Sequence, residues 1–334
     1  MPRMHFLNVK EGDCSLIEHF SGHLTVIDVC NARPQGTQSG YSIGSHIEMR
    51  GTLGNFGQKK HPVNPIEYMR NHGMSSIFRY IQTHPDMDHM DGIRHLFDQF
   101  RPLNFWDTDN KKQLDSATWT SSPYDELDWK FYKNLRDSKP NVDPRRLTLL
   151  SGAHGKYWNE SDDGLGGDGI TVLAPTQALV DDANEKDDDY NDCSYVLLYH
   201  TGSNKIVFGG DSHDATWEHI LSEHESRVSN IDVLIAPHHG RDSGRSYEFL
   251  DVLKPTLTFF GNAPSQHLAY GAWSSRGLPI VTNNQANCMV LDANRSPMVL
   301  YVTHEPFAKA KNANSFYSSQ FHAWYVGPID EFAS

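Results

Sequence analysis

Two histidines and two carboxylates fall within six residues of the stretch Thr83-His84-Pro85-Asp86-Met87-Asp88-His89-Met90-Asp91-Gly92. Imidazole suits Zn, Mn and Fe, and added carboxylates move the preference toward harder ions such as Mn. A water on such ions becomes hydroxide near neutral pH, so the chemistry served is hydrolysis. A solvated polar loop is the plainer reading of any one of these residues. Their density, and further ligand types downstream, favour a metal site.

The stretch follows Ile77-Phe78-Arg79-Tyr80-Ile81, an apolar run that reads as a strand. A strand ending in a tight loop aims several short side chains at one point. Residues 91–99 read as a helix after that loop, with Ile93, Leu96 and Phe97 on one face. Residues 4–9, 14–19 and 24–28 read as short strands separated by Gly-containing turns. Residues 31–64, rich in Gly, Pro, Ser and Asn, read as a long loop. A helix opened by Pro65 follows. Residues 110–145 are polar, with Trp119, Tyr124, Leu127, Trp129, Phe131, Tyr132 and Leu135 interspersed, several at helix-like intervals; that pattern suits core packing. Strands are expected at 147–150, 170–174, 194–200, 205–209, 231–236 and 256–260, then at Ile280-Val281 and Met289-Val290-Leu291, with 298–302 as an edge strand. Residues 214–225 and 245–253 suit helices. Runs of strands in two halves, each followed by helices, fit a layered α/β arrangement.

With 334 residues and 38% hydrophobic content the chain can bury a sizeable core. No apolar stretch approaches the ~20 residues of a membrane span, and Met-Pro-Arg-Met-His-Phe has no apolar signal region. Cys14, Cys30, Cys193 and Cys288 show no paired spacing and read as small buried residues of a reduced, cytoplasmic protein. The net charge of −13 argues against a general nucleic-acid coat but leaves room for a nuclease. The acidic run 181–189 reads as a solvated loop rather than a calcium site.

His84-x-Asp86-x-Asp88-His89 followed by Gly92 resembles the metal loop of the metallo-β-lactamase superfamily. The Asp in its second position resembles the nuclease-like domain of the ComEC/Rec2 competence proteins. Other segments match that branch in order. They are the opening strand and turn Phe6 to Cys14, Val26-Ile27-Asp28, Asn191-Asp192-Cys193-Ser194, Phe208-Gly209-Gly210-Asp211, and Asp232 to Gly240 with its His238-His239-Gly240. Glu11 replaces the usual Gln of the turn, Val29-Cys30 replace a small residue and Gly, and the 31–64 loop is unusually long. The resemblance implies an α/β fold: an αββα sandwich of two mixed sheets flanked by helices. It makes 1–305 a hydrolase domain, with insertions near 31–64 and 107–145 and a tail, 306–334, docked on the core.

The resemblance also implies a site for two divalent metal ions, Zn or Mn. His84 and Asp86 would bind the first ion, Asp88 and His89 the second, and Asp211 both. One of His238 and His239 would complete the second site. Neighbours on an extended segment point to opposite sides, so the other would hydrogen-bond substrate or donate a proton; which is which stays open. The first ion's third ligand would be Asp192, with His154 competing. Asp13 and Asp28 would anchor the loop by hydrogen bonds. Asp88 would orient the attacking hydroxide. Arg241 and Arg245 would hold phosphate, with Ser243, Ser246, Asn191, Ser194, His267 and Lys59-Lys60 as further contacts. Thr282-Asn283-Asn284-Gln285 stands where the branch carries a turn. The aromatic tail 315–325 could stack bases, though docking on the core suits it better.

The leading expectation is a metal-dependent phosphodiesterase, a soluble nuclease, with nucleic acid or another phosphodiester as partner and control by a regulatory protein. The alternatives are a hydrolase of a small phosphocholine-type ester, nucleotide or lactone, and a scaffold protein with a decayed site.

Overall fold

A computed structural model describes residues 1–34, 56–138, 143–160, 166–187, 189–263 and 267–333. Most of the long 31–64 loop therefore lies outside the described residues. The chain first lays down β1 (Arg3–Phe6), β2 (Ser15–Glu18), β3 (Leu24–Ile27), β4 (Arg79–Ile81), β5 (Asn104–Trp106) and β6 (Arg145–Leu147). A second sheet follows: β7 (Ile170–Ala174), β8 (Val196–Thr201), β9 (Asn204–Phe208), β10 (Val233–Ile235), β11 (Leu257–Phe260) and β12 (Ile280–Thr282). The chain then returns to the first sheet with β13 (Met289–Asp292), β14 (Val299–Val302), β15 (Tyr317–Ser318) and β16 (Ala323–Pro328).

The sheet orders are β15-β16-β14-β13-β1-β2-β3-β4-β5-β6 and β12-β11-β10-β9-β8-β7. Both are mixed. Strands β3 to β6 pair in parallel, as do β9 to β12, while β1, β2 and β13 pair antiparallel. The segment 298–302, expected at an edge, is interior, because β16 pairs on its far side.

Alternation sorts the side chains into layers. Phe6, Ile17, Ile27, Ile81 and Trp106 of the first sheet meet Val172, Leu197, Phe208, Ile235 and Phe259 of the second between the sheets. The other face of the first sheet, with Leu16, Val26, Tyr80 and Phe105, packs on α1 (Pro65–Asn71), α2 (Ile93–Phe100) and α3 (Glu126–Arg136) through Met69, Leu96, Phe97 and Tyr132. The second sheet's outer face takes Trp217 and Ile220 of the long helix Asp214–Val228. The expected αββα sandwich of two mixed sheets is thus observed. Strands covered on both faces read as continuous apolar runs, as in Ile170-Thr171-Val172-Leu173-Ala174, which is buried throughout.

Local chemistry explains the element ends. Asn64 caps α1 by accepting the Ile66 and Glu67 amides, with Pro65 in the first turn as expected. Thr282-Asn283-Asn284-Gln285 opens a short helix through a capping box of Thr282 and Gln285. The expected helix 245–253 shortens to Phe249–Leu253, since Gly244 and Tyr247 take positive φ and turn the chain before it. All four cysteines are buried and free. Among the described residues no helix is long and apolar enough to cross a membrane.

Candidate metal centre

Parallel strands bring their carboxyl ends to one edge, and the motif loops sit there. Strand β3 delivers Asp28, β4 delivers Thr83 to Asp91, β9 delivers Gly209-Gly210-Asp211, and β10 delivers Pro237 to Gly240. Gly210 takes φ of +51°, and a Cβ there would stand 2.8 Å from the Tyr195 carbonyl oxygen, so a side chain would push Asp211 off its post. Across the edge, a Cβ on Gly12 would stand 1.7 Å from the Asp88 carbonyl oxygen. The β1–β2 turn therefore rests directly on the motif loop.

The Asp211 carboxylate is the centre of the cluster. Its Oδ1 lies 3.3 Å from His89 Nε2, and its Oδ2 lies 3.6, 3.7 and 3.8 Å from Nε2 of His239, His238 and His84. His239 Nε2 is also 3.6 Å from Asp88 Oδ2. His84, His89 and Asp211 form one group of ligand atoms that could hold a metal ion; Asp88, His89 and His239 form a second, and Asp13, Asp211 and His239 a third. Nε2 of His84, His89 and His239 and Oδ1 of Asp211 are buried and have no hydrogen-bond partner. Orphaned buried nitrogens are costly, and cations held by these groups would satisfy them. The residues fit a divalent ion.

The far side of each ring decides its tautomer. His89 Nδ1 lies 2.8 Å from Asp28 Oδ2, and His239 Nδ1 lies 2.9 Å from Asp13 Oδ1. A carboxylate only accepts, so Nδ1 carries the proton and Nε2 can offer its lone pair to a metal. His84 obeys the same logic one step removed. Thr83 Oγ1 donates to Asp28 Oδ2 at 2.6 Å and so accepts from His84 Nδ1 at 3.0 Å. Gln82 adds a clamp, donating through Nε2 to the carbonyls of His84 and His89. Asp13 and Asp28, singled out from the sequence as anchors, occupy these positions. Thr83 and Gln82 were not singled out, although they directly precede the motif.

His238 differs. Its Nδ1 lies 2.8 Å from Ser243 Oγ and 3.4 Å from Arg245 Nη2. A guanidinium has only protons to give, so Nδ1 accepts and Nε2 carries the proton. That N–H points toward the Asp211 carboxylate, 3.7 Å away, as a donor. The expectation that neighbouring histidines diverge assumed an extended backbone. Both instead take left-handed conformations, with φ of 51° and 57°, and both rings turn toward Asp211.

Electrostatics follow from burial and crowding. Burial lowers the His239 pKa, but Asp211, Asp13 and Asp88 together outweigh it and raise the pKa to about 10. His89 is likewise raised well above the usual value, its burial overcome by Asp211, Asp28 and Asp88. His84 is lowered by burial and by His89 beside it. Burial, with His239, Arg245 and Arg241 nearby, brings His238 down to about 4 despite Asp211. Asp211, opposed by burial, is held well below the carboxylate range by His89, His239 and His84.

The other expected residues disperse. Asp192, expected as the first ion's third ligand, turns its Oδ1 to the start of the Asp214–Val228 helix. There it accepts the His213 and Thr216 amides and the Thr216 hydroxyl at 3.0–3.4 Å. It belongs to none of the three groups, and neither does His154, which is exposed in the turn before Gly155. Helix capping competes for the carboxylate that the ligand reading required. Ser194, expected to touch substrate, is fully buried and accepts the Asp211 amide at 3.3 Å, so it positions Asp211. Asn191 leaves a buried Oδ1 without a partner. Arg245 is buried, donating to the Ser212 carbonyl at 2.5 Å. Arg241 is half-buried beside the His-His turn. Ser243, Ser246, Lys59, Lys60 and His267 are exposed, and the His267 carbonyl accepts the Asp242 amide. Asp86 lies 3.8 Å from His84 Nε2 but is already paired with Lys112 at 2.5 Å. Nothing in the sequence marks Lys112, whose segment stands out only for its aromatic residues.

No protein-family model matches this chain. No curated protein matches it either. Solved structures align with it over most of its length. A metallo-beta-lactamase fold protein, YhfI from Bacillus subtilis, aligns with TM-score 0.44 and 11% identity over 84% of this chain and 96% of its own. The CmlA beta-hydroxylase aligns with TM-score 0.43 and 13% identity over 87% of this chain and 53% of its own. A diphosphatase from the PhnP family aligns with TM-score 0.35 and 12% identity over 78% and 86%.

Proposed function

We propose that this chain is a metal-dependent hydrolase of phosphodiesters, and that DNA or RNA is the first substrate class to test. The observation that carries the reading is the tautomer-set convergence of His84, His89 and His239 on Asp211, with three ring nitrogens buried and unpartnered. A divalent ion there, Zn or Mn, lowers the pKa of water and neutralises charge building on a phosphoryl oxygen. Two such ions would fit the reading, held by the His84, His89 and Asp211 group and by the Asp88, His89 and His239 group.

The protein's own groups have separable tasks. Asp28 and Asp13 hold the rings in register. Asp88, half-buried at the mouth, accepts a hydrogen bond from the attacking water and orients it. His238 offers its Nε2–H to a substrate oxygen and resists becoming a cation, because burial and two arginines disfavour a further charge. A preorganised donor of this kind contributes about 10²–10³ in rate.

A small phosphoester or lactone is the second reading, favoured by one observation. Arg245 is committed to Ser212 and His238, so this cation is not free to track a polynucleotide backbone. A screen with added Mn or Zn would compare linear DNA, circular DNA, RNA, bis-p-nitrophenyl phosphate and a lactone, with EDTA and Asp211→Ala as controls. Phosphodiester cleavage that EDTA and Asp211→Ala abolish supports the leading reading. Brisk lactone or monoester turnover without phosphodiester cleavage under any metal overturns it.

A further inference from the structure

We infer that Lys112 is an internal cation of the metal edge, holding the Asp86 carboxylate so that the protein binds one divalent ion tightly and a second only weakly. The inference rests on the metal-site reading above and concerns how the charges are shared within it.

The two sides of Asp211 are unequally furnished. On one side stand Asp88, His89 and His239, with both rings braced by buried carboxylates. On the other stand His84 and Asp86, with His89 shared between the two groups and not theirs alone. The acid expected to complete that side, Asp192, is engaged at a helix start. His238 faces it with an N–H rather than a lone pair. Into this deficit comes Lys112, whose Nζ lies 2.5 Å from Asp86 Oδ1.

Lys112 is built into place. Arg136 Nη1 donates to its carbonyl at 2.9 Å, and the Lys111 amide donates to Asn184 Oδ1 at 2.6 Å. Its ammonium stands 5.4 Å from the centre of the Tyr190 ring, at cation–π distance. Two helices and an aromatic ring thus fix the backbone and stem, and the side chain is only 19% exposed. An ammonium there supplies part of the charge a second ion would bring. It also repels such an ion and shares the Asp86 carboxylate with it, holding Oδ1 while Oδ2 faces His84. Two like charges a few ångströms apart at a half-buried edge oppose each other.

The test is metal stoichiometry, independent of turnover. The whole chain is reconstituted with Mn or Zn and dialysed, ions are counted by elemental analysis, and affinities come from competition with a chelating dye. The wild-type chain should retain one ion, with the second at least about a hundredfold weaker. Lys112→Met should tighten the second ion at least about tenfold, the fold-change for removing a competing charge. Lys112→Arg, which keeps the charge, should leave it weak. Asp86→Asn should remove the second event and spare the first. Two wild-type ions within tenfold of each other, or a second-ion affinity unmoved by Lys112→Met, overturns the inference while leaving the hydrolase reading intact. A folded wild-type chain that binds no ion overturns both.

Discussion

Asp13 holds Nδ1 of His239 at 2.9 Å across 226 residues of chain. The β1–β2 turn thus orients a ring at the carboxyl edge of the second sheet. Ligand assembly is therefore a property of the packed sandwich and not of either motif alone.

The same logic makes Asp28 the most sensitive anchor. One carboxylate sets His89 directly and His84 through Thr83. Asp28→Asn should weaken metal binding by about 10–100-fold, the usual cost of losing such a partner. Dye-competition titration of the folded variant checks this, and unchanged affinity would show that the rings are set by packing alone.

His239 and His238 should separate cleanly. His239→Ala should lose the tightly bound ion. His238→Ala should keep it and lose about 10²–10³ in turnover. Elemental analysis beside steady-state kinetics distinguishes the two. Metal loss from the His238 variant would reassign it as a ligand.

Metal loading should release protons. His89 and His239 are both held protonated without an ion, the latter with a pKa of about 10. An ion must displace those protons, so affinity should rise with pH until it passes the His239 pKa, by about tenfold per pH unit for each proton displaced. Calorimetry in buffers of different ionisation enthalpy counts the protons. The metal-free fold should show the opposite trend. A raised histidine pKa stabilises it fully below the unfolded value of about 6.5, and that contribution disappears as pH climbs through the folded value.

Gly12→Ala should damage the site without touching a ligand. Its Cβ would collide with the Asp88 carbonyl at 1.7 Å, and backbone on both sides has nowhere to go. A lower melting temperature and weaker metal binding are expected, whereas Gly271→Ala, with nothing within 4 Å, should be silent in both measurements.

A last prediction concerns the joint between the sheets. Arg79 on β4 meets Asp168, just before β7, at 2.8 Å, with both side chains almost fully buried. Asp168→Ala leaves a buried guanidinium without its partner and should cost about 3–5 kcal/mol. Denaturant unfolding measures it; a loss below 1 kcal/mol would mean that water reaches Arg79.

Much of this protein is legible in its residues taken in order. Alternation and apolar runs place the strands, because the side-chain period is a local property of the backbone. The spacing of His84, Asp86, Asp88 and His89 marks a metal loop, because a short loop confines its own side chains. Asp28, at a strand end, is expected as an anchor from the family resemblance. What the order of residues leaves open is decided by backbone conformation and by competition for partners. His238 and His239 converge because both adopt left-handed φ, which an extended reading cannot anticipate. Their roles then part, since one Nδ1 meets a carboxylate and the other a guanidinium. Asp192 is drawn to a helix start and Asp86 to Lys112, each by a partner distant in sequence or on another element. A side chain has few hydrogen-bonding positions, and only the tertiary structure determines which neighbour takes them.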